Sequence, residues 1–210
     1  MPLAHNSRIF LTGTAGSGKS RLALKLFLAA RAPRLVIDPA DSTMTAVRGA
    51  VTFHDPGRPT NARGERWTDA ATARFVPDDP DDLEAYARVY AWCFERFPRI
   101  VWADEAGAIM PVTRTPAPTR RYLAQGRKRM LGHIGAHTRP REVAKGLIAQ
   151  ATHVGIFRLP AADDRRYLAE TIGLPAPVLT DQLDQLPPFG FLWWDVNAGV
   201  LTPCDPLPPP

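Results

Sequence analysis

The sequence predicts a three-layer α/β fold with a mainly parallel central sheet, helices on both faces and a C-terminal β-hairpin. Three observations lead there. Residues 8–30 read as strand, glycine loop and helix in direct succession. Short apolar runs alternate with helical patterns along most of the chain, as βαβ units require. A third run, Arg99-Ile-Val-Trp-Ala, ends in the paired carboxylates Asp104 and Glu105. The 210 residues suffice for one domain with a full core, expected over 1–188 with an irregular insertion at 39–72, followed by a hairpin and Pro-rich tail at 189–210.

Taken in order, Arg8–Thr12 is a β-branched and aromatic strand, and residues 21–30 are strong helix formers stopped by Pro33. Arg34–Asp38 is a second buried strand, ended by Asp38-Pro39. Short strands are expected at 50–53 and 73–76, with a turn-rich exposed loop at 54–64 between them. A helix starts with Asp79 as N-cap and Pro80 at its first position, and acids fill its first turn. Leu83, Tyr86, Ala87, Tyr90, Cys93, Phe94 and Phe97 form its single buried stripe. Residues 107–119 hold three prolines and are expected as a loop, and 119–131 as a basic helix. Then come a strand at 132–137, a helix at 141–151, a strand at 152–159 and a helix at 164–172 capped by Gly173. The Leu- and Pro-rich 174–188 leads to a hairpin of 189–195 and 200–202 and an extended tail from Pro203 to Pro210.

The loop Gly13-Thr14-Ala15-Gly16-Ser17-Gly18-Lys19-Ser20 is the motif G-x-x-x-x-G-K-[ST] in the context the motif needs. Its glycines let backbone N–H groups close on a polyphosphate, and the helix dipole adds to them. Lys19 reaches the β- and γ-phosphates, the Ser20 hydroxyl sits on Mg²⁺, and Arg21 opens the helix beside them. The expected ligands are therefore ATP and Mg²⁺. About 85 residues on, Asp104 is placed to orient Mg²⁺ or its water, and Glu105 to polarise the attacking water as general base.

Composition excludes other classes. With 45% apolar and 22% charged residues the chain is an ordinary globular one. The longest greasy run, Leu22–Ala30, is interrupted by Lys25, so no membrane span is expected. The first strand begins within seven residues of Met1, which leaves no secretory leader. Cys93 and Cys204 lack a metal-ligand spacing, so they are expected as reduced thiols in a cytoplasmic protein. The net charge is +5, but Arg114 to Lys145 holds nine Lys/Arg against Glu142 alone, a net +8 that leaves the rest at −3. Such segregation points to a phosphate-bearing partner. A solvated helix face, or arginines reserved for a neighbouring subunit's nucleotide, are the alternatives.

Residues 121–159 carry a further pattern: Leu123-Ala-Gln-Gly-Arg127, then His133-Ile-Gly-Ala-His-Thr-Arg-Pro140, then Val143-Ala-Lys-Gly-Leu-Ile148. This resembles the stretch after the Walker B motif in the FtsK–HerA superfamily of DNA-translocating ATPases, and the Val-Ile-Asp38-Pro39 strand end resembles that family's second strand. The resemblance spans about residues 7–172. It implies a RecA/ASCE-like P-loop NTPase acting as a homo-oligomeric ring, a hexamer, on double-stranded DNA without sequence preference. His137-Thr138 stands where the family has Thr-Gln, so Thr138 or His137 takes the sensing role. Arg127, matching the L-A-Q-x-R run, is the first candidate for an arginine completing a neighbour's site, and Arg139 the second.

With no segment left for an extra DNA-reading domain or β-barrel, the chain is most similar to genome-packaging ATPases of tailless membrane-containing viruses. That implies capsid or membrane-vertex proteins as further partners, in the host cytoplasm or at a virion vertex. A P-loop kinase and a nucleotide-gated assembly protein remain the alternatives. The five principal strands, numbered in chain order, are expected in the order 5-1-4-3-2, with the strand of Ile134 between the phosphate-loop strand and the Asp104 strand.

Overall fold

Strand β1 (Arg8–Thr12) is buried along its whole length, as a strand covered on both faces must be. In the computed structural model, which describes residues 4, 6–43, 45–96 and 98–208, it lies inside a nine-stranded sheet. In chain order the elements are α1 (Lys19–Ala29), β2 (Arg34–Ile37), β3 (Val51–Phe53), β4 (Thr72–Phe75), α2 (Leu83–Glu95) and β5 (Arg99–Ala103). There follow α3 (Ala106–Ile109), α4 (Ala117–Gln125), β6 (Leu131–His137), α5 (Lys145–Ala149), β7 (His153–Ile156), α6 (Ala162–Ile172) and α7 (Ala176–Asp184). The hairpin β8 (Phe191–Asp195) and β9 (Val200–Cys204) ends the chain's regular structure.

The sheet order is β3-β4-β2-β5-β6-β1-β7-β8-β9. Its centre is the expected one: β6 pairs in parallel with β1 on one side and β5 on the other. β4 and β3 extend the parallel set to seven strands, and the hairpin adds two antiparallel strands through β8 on β7. Seven parallel strands share one C-terminal edge, so the turns after β1, β2, β5, β6 and β7 all emerge on the same side. Alternation along β1 divides the core. Ile9 and Leu11 face α1 through Leu22 and Phe27, and Phe10 faces the layer that contains α2 and α4 to α7.

Several elements depart from expectation. The prolines of 107–119 point to a loop there, but Pro116 and Pro118 open α4, and Pro175 and Pro177 open α7. In the first turn proline costs no intrahelical hydrogen bond, so it starts a helix there. Thus α7 occupies the Leu- and Pro-rich stretch, and α4 starts two residues early. The basic helix expected over 119–131 ends at Gln125 and continues as a 3₁₀ turn, Gly126–Arg129, because the chain must reverse into β6. Asp82, not Asp79, caps α2, accepting from the Glu84 and Ala85 amides at 2.9 Å each. Asp79 instead holds the preceding turn through the Asp81 amide. The helix expected over 141–151 is a 3₁₀ turn, Pro140–Glu142, followed by the short α5. Within the 39–72 stretch, Trp67 is buried and stacks on Phe53 at 3.9 Å, which pins β3 to the sheet. Phe97 and the Pro209–Pro210 end of the tail lie outside the described residues.

A buried charge pair ties β4 to the end of β2. Asp38 is fully buried and accepts from Arg74 Nη2 at 2.7 Å and from the Thr43 hydroxyl at 2.7 Å. Burial alone would raise its pKa; the hydrogen bonds from Thr43, Ser42 and Arg74 outweigh that and hold it below the usual carboxylate range. Removing one partner of such a pair strands a buried charge. Arg74→Met is therefore expected to lower the unfolding free energy by about 3–5 kcal/mol, and adding Asp38→Asn to recover part of the loss. Chemical denaturation measures both; a single-variant loss under about 1 kcal/mol would show that Asp38 does not depend on Arg74.

Candidate nucleotide site

The loop after β1 is shaped from both sides. Gly18, the residue before α1, has φ 108°, and a Cβ there would lie 3.2 Å from Phe157 Cε1. Gly16 has φ 72° and nothing within 4 Å of where its Cβ would stand, so its outer side is open to an incoming group. Thr14 is fixed by its amide donating to the Arg158 carbonyl at 2.9 Å, and Ala15 is exposed. Lys19 is buried and folds back across the loop, Nζ to the Thr14 carbonyl at 2.8 Å. Burial lowers its pKa, while Glu105 and Asp104 act in the opposite sense, which puts its ammonium within their field. The Ser17 hydroxyl is buried and has no partner among the described residues. A loop with open space at Gly16, a lysine and an unused hydroxyl fits a polyphosphate.

The turn after β5 brings the carboxylates to the same edge. Asp104 is nearly buried, and its Oδ2 accepts from the Ser42 hydroxyl at 3.3 Å. That hydroxyl is also 3.3 Å from Asp38 Oδ1, so it links the turns after β2 and β5. Burial, then the charges of Glu105 and Asp38, push the Asp104 pKa up to about 6. Ser20 is exposed in the first turn of α1. A hydroxyl and a carboxylate are the hard oxygen donors that Mg²⁺ takes alongside substrate phosphates, so Ser20 and Asp104 are the residues that would hold it.

Glu105 has left-handed backbone, φ 55° and ψ 57°, which costs a non-glycine residue roughly 1–2 kcal/mol. Its side chain is half exposed, and Oε2 lies 3.3 Å from His137 Nδ1. That hydrogen bond is the main reason its pKa sits below the ordinary carboxyl value. His137, at the end of β6, also has Nε2 3.2 Å from Glu142 Oε2. Burial opposes its charged form, but the hydrogen bonds to Glu105 and Glu142 outweigh burial and raise its pKa. Of the two sensing candidates His137 thus contacts Glu105, while Thr138 is half-buried and its carbonyl is 3.5 Å from the Thr12 hydroxyl.

The arginines divide between the two edges of the sheet. Arg139 is on the loop edge, held by Glu142 at 3.4 Å and by the buried Asp164 at 3.2 Å. Arg127 is exposed in the turn before β6, and the seven residues of that strand put about 20 Å between it and the loop edge. The basic segment is therefore not one face. Much of it is also committed within the chain: Arg114 pairs with Glu84, Arg121 with Glu95, and Arg141 with Asp163. Arg121 and Arg129 both lie over the Phe94 ring, at 4.2 and 4.5 Å from its centroid. Arg127, Lys128 and Lys145 have no acid partner among the described residues.

Sequence reasoning missed the far side of the loop. A cavity of about 460 Å³ beside Ser17 is lined by Arg158, Arg165, Asp184 and Phe189. A slot of about 120 Å³ lies between Gly18, Arg21, Phe157, Phe189, Pro206 and Leu207. Arg158 follows the strand next to β1, a position that could have flagged it. Phe189 gave no such signal, because only the packing of the tail brings it to the loop.

The fold and this site together define the P-loop NTPase class. No family model and no curated protein matches the sequence. Among solved structures, the chain is similar to the genome-packaging NTPase B204 of Sulfolobus turreted icosahedral virus 2, crystallised with AMP. Identity is 15% over 98% of this chain and 100% of that one, and the TM-score is 0.79. B204 from Sulfolobus turreted icosahedral virus, a DNA-packaging ATPase, aligns at 14% identity over 98% and 100% of the two chains, TM-score 0.76. VirB4 of Thermoanaerobacter pseudethanolicus aligns at 12% identity over 97% and 90%, TM-score 0.69. At these identities the likeness is one of fold, and it is the fold that the FtsK–HerA resemblance implies.

Proposed function

We propose that this chain is an ATP-hydrolysing DNA translocase, a subunit of a genome-packaging motor. One observation carries the hydrolytic reading: β6 lies between β1 and β5, and its end presents His137 to Glu105 across from Lys19. A kinase reading favours direct pairing of the phosphate-loop and Asp104 strands, which this sheet lacks. Lys19 and the loop amides hold the phosphates, Ser20 and Asp104 hold Mg²⁺, Glu105 accepts a proton from the attacking water, and His137 senses the state of the site. With the terminal phosphate on the β5 side, the adenine ring falls on the β7 side, against Arg21 and Phe189.

The location of Arg127 supports a head-to-tail ring rather than a two-fold dimer; the hexamer is what the FtsK–HerA resemblance implies. In a heterologous interface one subunit's loop edge meets a different surface of its neighbour. The opposite edge carries Arg127, exposed and without an acid partner among the described residues, and the phosphate loop lies on the other edge, as a head-to-tail contact requires. Arg139, tied to Asp164 in its own subunit, is the weaker candidate for the trans role. Double-stranded DNA contacts the exposed lysines and arginines through its backbone, without base reading. The likeness to B204 favours packaging over conjugative transfer, with capsid or membrane-vertex proteins as further partners, in the host cytoplasm or at a virion vertex.

ATPase activity should rise on adding double-stranded DNA; no change with DNA at any length would overturn translocation. Lys19→Ala should abolish nucleotide binding or turnover, while Glu105→Gln should bind ATP and stop hydrolysis, a difference read by equilibrium binding and phosphate release. Glu105→Gln turning over at the normal rate would place the base elsewhere. Because Arg129 is anchored on Phe94, the cleaner DNA variant is Arg127→Gln with Lys128→Gln. It should flatten the slope of log affinity against log salt by about 1–2 units. An unchanged slope with binding intact would move DNA to another face. Finally, mixing Arg127→Ala with Lys19→Ala, each inactive alone, should restore part of the activity, since a trans arginine is worth roughly 10³–10⁵ in turnover in GTPases. Mixed rings that stay inactive at every ratio would show that Arg127 does not act across the interface.

A further inference from the structure

One nitrogen in the site has two claimants. His137 Nδ1 lies 3.3 Å from the Glu105 carboxylate and 3.3 Å from the Gly107 amide nitrogen. The carboxylate can only accept, and the amide can only donate. Nδ1 therefore serves one of them at a time, and which one depends on whether it carries a proton. The other nitrogen, Nε2, faces Glu142, which accepts from it in either state. The ring cannot turn aside to avoid the choice. It packs against Gly107 so closely that a Cβ there would stand 2.5 Å from Cε1 and 2.6 Å from Nε2.

We infer that His137 is a positioning residue that holds Glu105 through a proton on Nδ1 and releases it when that proton leaves. In the imidazolium both nitrogens donate, Nδ1 to Glu105 and Nε2 to Glu142. When the Nδ1 proton goes to solvent, Nε2 keeps its hydrogen on Glu142, and Nδ1 becomes an acceptor for the Gly107 N–H. Its lone pair then faces the Glu105 carboxylate and repels it. Glu105, half exposed and held in left-handed backbone, is free to turn toward the water it activates. The device rests on the hydrolytic reading above.

The charges around the ring set its midpoint. Glu105 faces it from the β5–α3 turn and Glu142 from the 3₁₀ turn after β6; Arg139 pairs with Glu142, and Lys19 acts on Glu105 rather than on the ring. Both carboxylates favour the cation, so the proton is held above the ordinary histidine range. The hold on Glu105 is complete at low pH and is lost as pH rises through the His137 pKa. Arg139 completes a chain from Glu105 through His137 and Glu142 to the buried Asp164 of α6, which fixes the Glu142 end of the ring.

The test reads the imidazole directly. In ¹⁵N spectra of the whole protein, the histidine resonance missing from His137→Gln is followed from about pH 5 to 9. The inference expects a midpoint above the ordinary value, a neutral form with hydrogen on Nε2, and a midpoint about one unit lower in Glu142→Gln. A neutral form with hydrogen on Nδ1, or a midpoint unmoved by Glu142→Gln, overturns it. In parallel, kcat at saturating ATP should rise about tenfold per pH unit below that midpoint and level off above it, and His137→Gln, a donor that cannot titrate, should lose the step. A wild-type profile shared by His137→Gln overturns the switch while leaving the ATPase reading intact. Absence of turnover at any pH, with the ¹⁵N titration as expected, overturns the ATPase reading instead.

Discussion

Parallel pairing of β6 between β1 and β5 is the constraint on which the site depends. Register follows from it: Thr12 stands beside His137 at the end of the pair β1–β6, and Ala103 beside Gly135 in β5–β6. The phosphate loop and the Asp104–Glu105 turn are thereby held one strand apart, and β6 runs two residues further than β5 to bring His137 over Glu105. The glycines of β6 serve the same arrangement, since Gly135 lies against Leu147, where a Cβ would be 2.9 Å from Cδ2.

Charge is distributed to suit that geometry. Asp38, Asp104 and Glu105 converge on the edge where α1 begins, near Lys19, and each is handled differently. Asp38 is neutralised by Arg74 and kept ionised. Asp104 is left with a hydroxyl partner, and burial with the charges of Glu105 and Asp38 raises its pKa. Glu105 is held by a histidine. Three carboxylates on one edge thus differ in their partners: an arginine, a hydroxyl and a histidine.

The arginines of the opposite edge answer a different need. In a parallel α/β sheet the helix C-termini, with their unpaired carbonyls and partial negative charge, collect where the strands begin. Arg34 donates to the Leu28 carbonyl of α1, Arg129 to the Phe94 carbonyl of α2, and Arg8 to the Tyr122 carbonyl of α4. A basic composition that looks like a polyanion footprint is therefore partly a set of helix caps. What is left over, Arg127 and Lys128 above all, is exposed and without an acid partner among the described residues.

The sequence by itself determined the phosphate loop and the Asp104–Glu105 turn, because each rests on local chemistry: glycine backbone freedom and a buried apolar run ending in acids; the central strand order came with the FtsK–HerA resemblance. The sequence also determined the terminal hairpin, through the turn at 197–199. The starts of α4 and α7 are not legible in the sequence, because a proline's effect depends on its position relative to the first turn, which composition does not specify. The tertiary structure alone decided the rest. It put Arg127 and Arg139, twelve residues apart in sequence, on opposite edges of the sheet, because the strand between them runs its full length. It chose His137 over Thr138 as the contact of Glu105, since side chains alternate along a strand and only one of two successive residues can face a given neighbour. It brought Phe189 and the tail to the phosphate loop, a contact across more than 170 residues that no local pattern encodes.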